Sequence, residues 1–278
     1  MELSNHDFER LSAYLNHKVG IKLPANKRTM LAGRLSKRLR ALELDSLSAY
    51  CDYLFSPEGM KHEVVHLIDA ITTNKTDFFR EPIHFEYLRD NVLPRMVGKG
   101  KRHLRVWSAA CSTGEEPYTL AMILAEYQRQ VPGFSFEVLA TDICTKVLET
   151  ARQGTYSLES VAPVPLALRK RYLLRGKGEF QDQVRIAPEA QDRVCFGRLN
   201  FMAADYKLPS RQQIIFCRNV LIYFDHPTQE QVINKLCRYL EPDGYLFLGH
   251  SESIMGYQVP LTQEAPTIHR RLGGIGKA

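Results

Sequence analysis

No apolar run in this chain approaches the roughly 20 residues that a membrane-spanning helix needs, so no such helix is expected. The N-terminus, Met1-Glu2-Leu3-Ser4-Asn5-His6-Asp7, has neither a basic n-region nor an apolar h-region, and no secretory signal is expected there. The six cysteines (Cys51, Cys111, Cys144, Cys195, Cys217 and Cys237) include no Cys-x-x-Cys pair. Several stand in apolar, strand-like runs, which predicts buried free thiols in a reducing cytoplasm rather than a disulfide framework. Two phosphate-binding patterns are missing as well, G-x-G-x-x-G and the Walker lysine loop, which leaves a standard dinucleotide or ATP site unsupported. Internal repeats and low-complexity segments are also lacking.

What is present is ordinary in bulk. A chain of 278 residues, 44% hydrophobic and 24% charged, suits one or two soluble domains with a sizeable core. The net charge of +6 is unevenly spread. Residues 25–42 carry Lys27, Arg28, Arg34, Lys37, Arg38 and Arg40 and no acid. Such a helix suits an acidic protein surface or a nucleic acid, and a merely solvated face is the plainer alternative.

Residues 1–72 read as all-helical. Phe8, Leu11, Leu15 and Val19 recur at helical spacing, with Asn5 or Asp7 placed to cap, and Met30, Leu31, Leu35, Leu39 and Leu42 form the apolar stripe of the basic helix. Two further helices are expected near 47–55 and 60–71. From about residue 84 helices and strands alternate. Helices are predicted at 84–97, 116–128, 145–154 and 228–240, and strands at 104–108, 136–142, 213–217 and 245–250. That alternation predicts a doubly wound, Rossmann-like α/β sheet, which binds ligands beyond the carboxyl ends of its strands. Residues 171–200 break the rhythm. Tyr172-Leu173-Leu174, Gln183-Val184-Arg185-Ile186 and Arg193-Val194-Cys195-Phe196 read as short strands of an inserted antiparallel β flap, with a turn at Arg175-Gly176-Lys177-Gly178. The tail from Gly273 to Ala278 is expected to fray.

The run Val106-Trp107-Ser108-Ala109-Ala110-Cys111-Ser112-Thr113-Gly114-Glu115-Glu116-Pro117-Tyr118 is the most informative. It reads as a buried strand, a tight loop of small residues and a helix start. The small residues let backbone approach a nucleoside. The acidic pair Glu115-Glu116 suits an ammonium group, where a phosphate cradle would want lysine. This favours a cationic, amino-acid-bearing nucleoside such as S-adenosylmethionine. Asp142 ends the next strand, where a carboxylate commonly accepts ribose hydroxyls; capping the following helix is the alternative. In Cys217-Arg218-Asn219-Val220-Leu221-Ile222-Tyr223-Phe224, Asn219 stands among apolar residues and needs a partner if buried. Tyr223 offers a phenol at the same edge. Asn74-Lys75-Thr76-Asp77-Phe78-Phe79-Arg80 lies at the module junction, a favoured place for ligand sites. Arg80 could orient a carboxylate through its planar fork; a linker stapled by Phe78 and Phe79 is the plainer role.

Two motifs look catalytic and are set aside. His62-Glu63-Val64-Val65-His66 matches H-E-x-x-H on an expected helix, but no third ligand is placed and Asp69 and Thr72 break the metzincin continuation, so no metal is expected. Gly249-His250-Ser251-Glu252-Ser253 lacks the final glycine of a nucleophile elbow.

Together, Asn74-x-Thr76-x-Phe78-Phe79-Arg80, Trp107-Ser108-Ala109-Ala110-x-Ser112-Thr113-Gly114-Glu115-Glu116-Pro117-Tyr118, Phe216-Cys217-Arg218-Asn219-Val220-x-Ile222-Tyr223-Phe224 and Gly249-His250-Ser251-Glu252 make the chain resemble the CheR family of chemotaxis receptor methyltransferases. The likeness spans nearly the whole chain; Cys111 stands where a small residue such as Ala is typical. The resemblance implies an N-terminal helical domain over 1–72 and an S-adenosylmethionine-dependent methyltransferase domain over 73–278. The implied reaction methylates glutamate side chains of chemoreceptors, giving methyl esters and S-adenosylhomocysteine. By motif match, Asn74, Thr76 and Arg80 would contact the methionine end of the cofactor, Glu116 its amino group and Asp142 its ribose. Asn200 with Phe201, and Asn219 with Val220, would frame the adenine and sulfonium regions, and Arg80 and Tyr223 would lie near the incoming glutamate. The basic helix would face the receptor's methylation helices, and the flap would dock a receptor tail peptide in members that use one. A cytoplasmic monomer that meets membranes only through receptors and binds no nucleic acid is expected. Two rivals remain in view: a nucleic-acid methyltransferase gripping phosphates with the basic helix, and a non-catalytic cofactor-binding scaffold.

Overall fold

A computed structural model describes residues 2–273. The tail expected to fray lies, from Gly274 on, outside the described residues.

The first module is five helices, α1 (Asn5–Val19), α2 (Arg28–Ala41), α3 (Leu47–Leu54), α4 (Pro57–His62) and α5 (Val64–Ile71). The cap of α1 is Ser4, not Asn5 or Asp7: Ser4 Oγ accepts the Asp7 N–H at 3.0 Å and donates to the Asp7 carboxylate at 2.7 Å. The first bond satisfies one of the helix-end N–H donors that have no partner within the helix. Gly20 ends α1 in the left-handed region, where a Cβ would also meet Met202 Sδ at 2.9 Å. The stripe Leu31, Leu35 and Leu39 of α2 is buried against Leu11, Leu15, Tyr50 and Leu67, each such side chain contributing about 1.5–3 kcal/mol. The H-E-x-x-H segment is not one helix. It breaks at Glu63, which is buried in a two-pronged pair with Arg38 (2.8 and 2.7 Å) and accepts Tyr50 Oη–H at 3.1 Å.

The second module opens with α6 (Ile83–Tyr87), a π-turn over Leu88–Val92 and α7 (Leu93–Gly98) in place of one regular helix. The wide turn ends just before Pro94, which can supply no N–H to an α-register. Then follow β1 (His103–Ala109), α8 (Glu115–Gln130), β2 (Ser135–Asp142), α9 (Thr145–Gln153), β3 (Thr155–Ser157), α10 (Leu166–Tyr172), β4 (Leu173–Arg175), β5 (Gln183–Ile186), α11 (Pro188–Gln191), β6 (Val194–Arg198), β7 (Gln212–Cys217), α12 (His226–Tyr239), β8 (Leu240–Leu248), β9 (Leu261–Ala265) and β10 (Ile268–Arg271). The main sheet has the order β6-β2-β1-β7-β8-β10-β9. Its first five strands are mutually parallel, and β10 and β9 close one edge antiparallel. This is the expected doubly wound, methyltransferase-type sheet. The chain moves from β1 to β2 on one side and later to β7 on the other, so the strand order reverses at β1. In register, Ala109 stands beside Thr141 and Cys217, which aligns the carboxyl ends of the three central strands.

The small antiparallel sheet exists but is not composed as expected. Its order is β3-β5-β4. Thr155–Ser157, unforeseen as a strand, supplies one edge, and Tyr172 belongs to the preceding helix. The segment around 193–196, expected in the flap, is instead the edge strand β6 of the main sheet, parallel to β2. A strand of five residues carries too little pattern to show which sheet receives it. The cysteine expectation also needs one correction: all six thiols are free, but Cys195, on that edge strand, is exposed.

The modules are stitched together by polar contacts. The Asp69 carboxylate, at the end of α5, accepts the Thr145 N–H (2.8 Å) and hydroxyl (2.6 Å) at the start of α9. The Asn200 amide donates to the Lys18 carbonyl at 2.8 Å, and the Lys22 N–H donates to the Tyr223 carbonyl at 3.0 Å.

Candidate active site

The loop after β1 is folded tightly over the end of β2. The Ala110 and Cys111 N–H groups both donate to the Thr141 carbonyl, at 2.8 and 2.9 Å. Ala110, Ser112 and Gly114 all have positive φ, a strained path that surrounding contacts must hold. At Gly114 a Cβ would meet Tyr156 Oη at 2.7 Å, so the small residue is required by space as well as conformation. Asp142 is one of the holding contacts. Its two carboxylate oxygens accept the Ser112 and Cys144 N–H groups, each at 2.9 Å. Asp142 thus organises the loops on both sides while lining the cavity they enclose. Burial pushes its pKa above the ordinary value, against the opposing pull of those N–H groups.

Glu116, in the first turn of α8, accepts the Ser108 hydroxyl at 2.7 Å and Arg218 Nη1–H at 3.0 Å. Burial pushes its carboxyl up as well, more than Arg218 and Ser108 pull it down. Glu115 is turned away, accepting the Thr113 hydroxyl at 2.6 Å. Arg218 follows β7 directly and is buried. It also donates to Glu81 at 2.9 Å and to the Arg80 carbonyl, with its guanidinium 5.4 Å from the Phe85 ring centre. Asn219 has φ of 58°, a conformation fixed by Glu252. That buried carboxylate accepts four backbone N–H groups, from Gly249 (2.6 Å), Asn219 (2.9 Å), Val220 (2.8 Å) and Leu221 (2.8 Å). Cys111, beside Asp142 and Glu116, has its thiol pushed well up by burial and then by those charges, so it stays protonated and is a poor nucleophile.

These elements enclose a cavity of about 410 Å³, within the range of small-molecule sites. Ten of the residues singled out from the sequence line it, whereas Glu115 of the acidic pair does not. Asn74, Thr76 and Arg80 come from the junction segment, Glu116 and Asp142 from the strand ends, and Asn200, Phe201, Asn219, Val220 and Tyr223 from the far side. Some of their polar groups are already engaged. Asn200 donates to Lys18 and accepts the Met202 N–H at 2.9 Å, Arg80 donates to the Lys75 carbonyl at 2.8 Å, and Asn74 donates to the Thr72 hydroxyl at 3.2 Å.

Sequence reasoning missed two parts of the site. One is the wall given by the helical module, where Val19, Ile21, Leu23 and Met30 line the cavity. The other is the buried charge network around Arg218. An arginine directly after the apolar run Ile214-Ile215-Phe216-Cys217 was the available signal, because an unpaired buried charge is too costly to occur.

Two family descriptions together match most of the chain. Residues 6–72 match the all-alpha domain of CheR methyltransferases, and residues 74–267 match their SAM binding domain. The chain belongs to the CheR methyltransferase family. It is 40% identical to the chemotaxis protein methyltransferase of Escherichia coli K12, covering 97% of this chain and 92% of that one. It is 40% identical to chemotaxis protein methyltransferase 2 of Pseudomonas aeruginosa (91% and 88% covered), and 36% identical to the chemotaxis protein methyltransferase of Borreliella burgdorferi (92% and 91%). Among solved structures, the glycopeptide N-methyltransferase MtfA with S-adenosylmethionine aligns at 15% identity and a TM-score of 0.37, covering 78% of this chain and 69% of that one, too remote to bear on the site. As a CheR methyltransferase, the chain is a S-adenosylmethionine-dependent enzyme, and no helix among its described residues is long and apolar enough to cross a membrane.

Proposed function

We propose that this CheR protein methylates glutamate side chains of chemoreceptors, forming glutamate methyl esters and releasing S-adenosylhomocysteine. The observation that carries this is the Ser108–Glu116 run folded over the switch point of the sheet. It puts two carboxylates, the half-buried Glu116 and the buried Asp142, in one cavity with Arg80 and Tyr223. The donor set fits the cofactor: carboxylates for an ammonium group and ribose hydroxyls, apolar Phe201 and Val220 for adenine. The cofactor supplies a methyl group on a sulfonium. Asn74, Thr76 and Arg80 hold its methionine end, with Glu116 at the amino group and Asp142 at the ribose; Asn200 and Asn219 shape the adenine and sulfonium sides. The acceptor glutamate is ionised near neutral pH and needs no general base. Arg80 and Tyr223 have the simpler task of orienting its carboxylate oxygen, and orientation alone can lower such a barrier substantially.

The receptor surface is assigned to α2 and its approach. Of its cations, Lys27, Lys37 and Arg40 are exposed, whereas Arg38 is turned in to Glu63 and Arg34 donates to the Thr72 carbonyl (3.1 Å) and Thr73 hydroxyl (2.8 Å). That inward use of charge weakens the case for a phosphate-gripping helix. Leu174 and Phe180 stand exposed on the small sheet, a surface suited to a receptor tail peptide. We place the enzyme in the cytoplasm as a monomer that reaches membranes through receptors. The test is transfer of radiolabelled methyl groups from S-adenosylmethionine to receptor-containing membranes, alongside calorimetric titration with S-adenosylhomocysteine. Tight binding with base-labile label on the receptor is expected. Binding without label in any receptor preparation would favour a scaffold, and no binding would overturn the assignments at Glu116 and Asp142.

A further inference from the structure

Arg80 sits between two residues in the left-handed region, Phe79 at φ 56° and Glu81 at φ 57°. Neither is glycine, so the backbone here is held in place by its surroundings. Glu81 does much of the holding. Its Oε1 accepts the Asn219 amide at 3.1 Å, and its Oε2 accepts Arg218 Nη2–H at 2.9 Å and the His250 N–H at 3.2 Å. One carboxylate thereby joins the junction segment, the end of β7 and the turn after β8. Arg218 returns the contact, donating to the Arg80 carbonyl and to Glu116.

The atoms of Glu81, His84 and His250 lie within 4.8 Å of one another, a grouping that resembles a cation site. The Arg218 guanidinium already supplies the positive charge there. His84 adds none. Its Nε2 stands 2.8 Å from Thr267 Oγ1 and its Nδ1 3.5 Å from Glu81 Oε2. Burial, then the charge of Arg218, holds the His84 pKa down to about 3. The partner of Glu81 is the arginine.

We propose that Glu81 is a positioning residue for methyl transfer, setting the place of Arg80 through its own turn and through Arg218. This rests on the receptor-methyltransferase reading above. The test is a cycle of Glu81→Gln, Arg80→Ala and the double variant, with unmodified enzyme alongside. For each, the thermal midpoint, S-adenosylhomocysteine affinity, and kcat and KM for receptor are measured. Glu81→Gln keeps the shape and loses the charge paired with Arg218. It is expected to stay folded, bind S-adenosylhomocysteine no more weakly than Arg80→Ala does, and lose kcat by about tenfold or more, since small misplacements of reacting groups are costly. In the Arg80→Ala background it should cost almost nothing further, because both changes disturb one orientation. A fold defect alone would not produce that collapse. Unchanged kcat in Glu81→Gln, or losses that multiply in the double variant, would overturn the proposal. If Glu81→Gln fails to fold, Arg218→Lys, which keeps charge but loses the fork, enters the same cycle with the same expectations. Failure of the unmodified enzyme to label any receptor would overturn the underlying reading, and the proposal with it.

Discussion

Asp142 has two jobs, and a substitution separates them. Its oxygens hold the Ser112 and Cys144 N–H groups while the side chain faces the cavity. Asp142→Asn keeps one acceptor oxygen and loses the charge. Hydrogen bonds to charged groups are worth about 1.5–3 kcal/mol, so S-adenosylhomocysteine affinity should fall by roughly 10- to 100-fold, read by calorimetry, with a smaller change in kcat. Protons provide a second check. Burial, the largest influence, raises the Asp142 and Glu116 carboxyls above their ordinary values. A raised carboxylate pKa means the folded, ligand-free protein holds those protons better than the unfolded chain, so their contribution favours folding at low pH and is lost as pH rises through the folded values. A cationic ligand favours the ionised forms. Its binding should therefore release protons and weaken on acidification, in a window starting near the ordinary carboxylate value of about 4 and extending upward. Titration of S-adenosylmethionine in two buffers of different ionisation enthalpy at about pH 5 measures this; no difference between buffers would place the ligand's charge away from both carboxylates.

At the scale of elements, what was legible followed from contrast. Strands β1, β2 and β7 are apolar runs ended by small or polar residues, and helices α8 and α9 begin where those loops close, so the alternation and the functional ends could be read together. What was not legible was pairing. The β9–β10 hairpin has mixed polarity and turns at Pro266-Thr267, and nothing in its pattern distinguishes an edge of the main sheet from a surface loop. The site loops show the same division. Asn219 announced its need for a partner, but the partners, Glu81 for its side-chain amide and Glu252 for its backbone N–H, lie on other turns, and proximity across the fold leaves no mark in local periodicity. Close approach of these turns can be tested at Gly249. A Cβ there would stand 2.4 Å from Asn219 Nδ2 and 2.8 Å from its backbone nitrogen. Gly249→Ala must push the Asn219 turn aside, at a cost of about 1–3 kcal/mol for overpacking. A lower thermal midpoint together with weaker S-adenosylhomocysteine binding is expected; normal binding would show that the Asn219 turn adapts freely.

At the scale of the whole molecule, the cavity belongs to neither module alone. Val19, Ile21, Leu23 and Met30 face Asp142, Phe201 and Tyr223 across it. Ligand should thus stabilise the helical module as well as the sheet. At 100 times its dissociation constant, S-adenosylhomocysteine should add about 2.7 kcal/mol to overall stability, and hydrogen exchange should slow in the connection between α1 and α2 as well as around β1 and β2. Protection confined to the sheet would mean the helical wall makes no contact with ligand. The wall also bears on how such a chain can change over generations. The family boundary near residue 73 offers a seam for exchanging pieces, yet the seam runs through the binding chamber. A foreign helical module would bring its own lining to a cofactor that never changes. The two halves are therefore bound to be inherited as a pair, and recombination at that seam would be tolerated only between close kin.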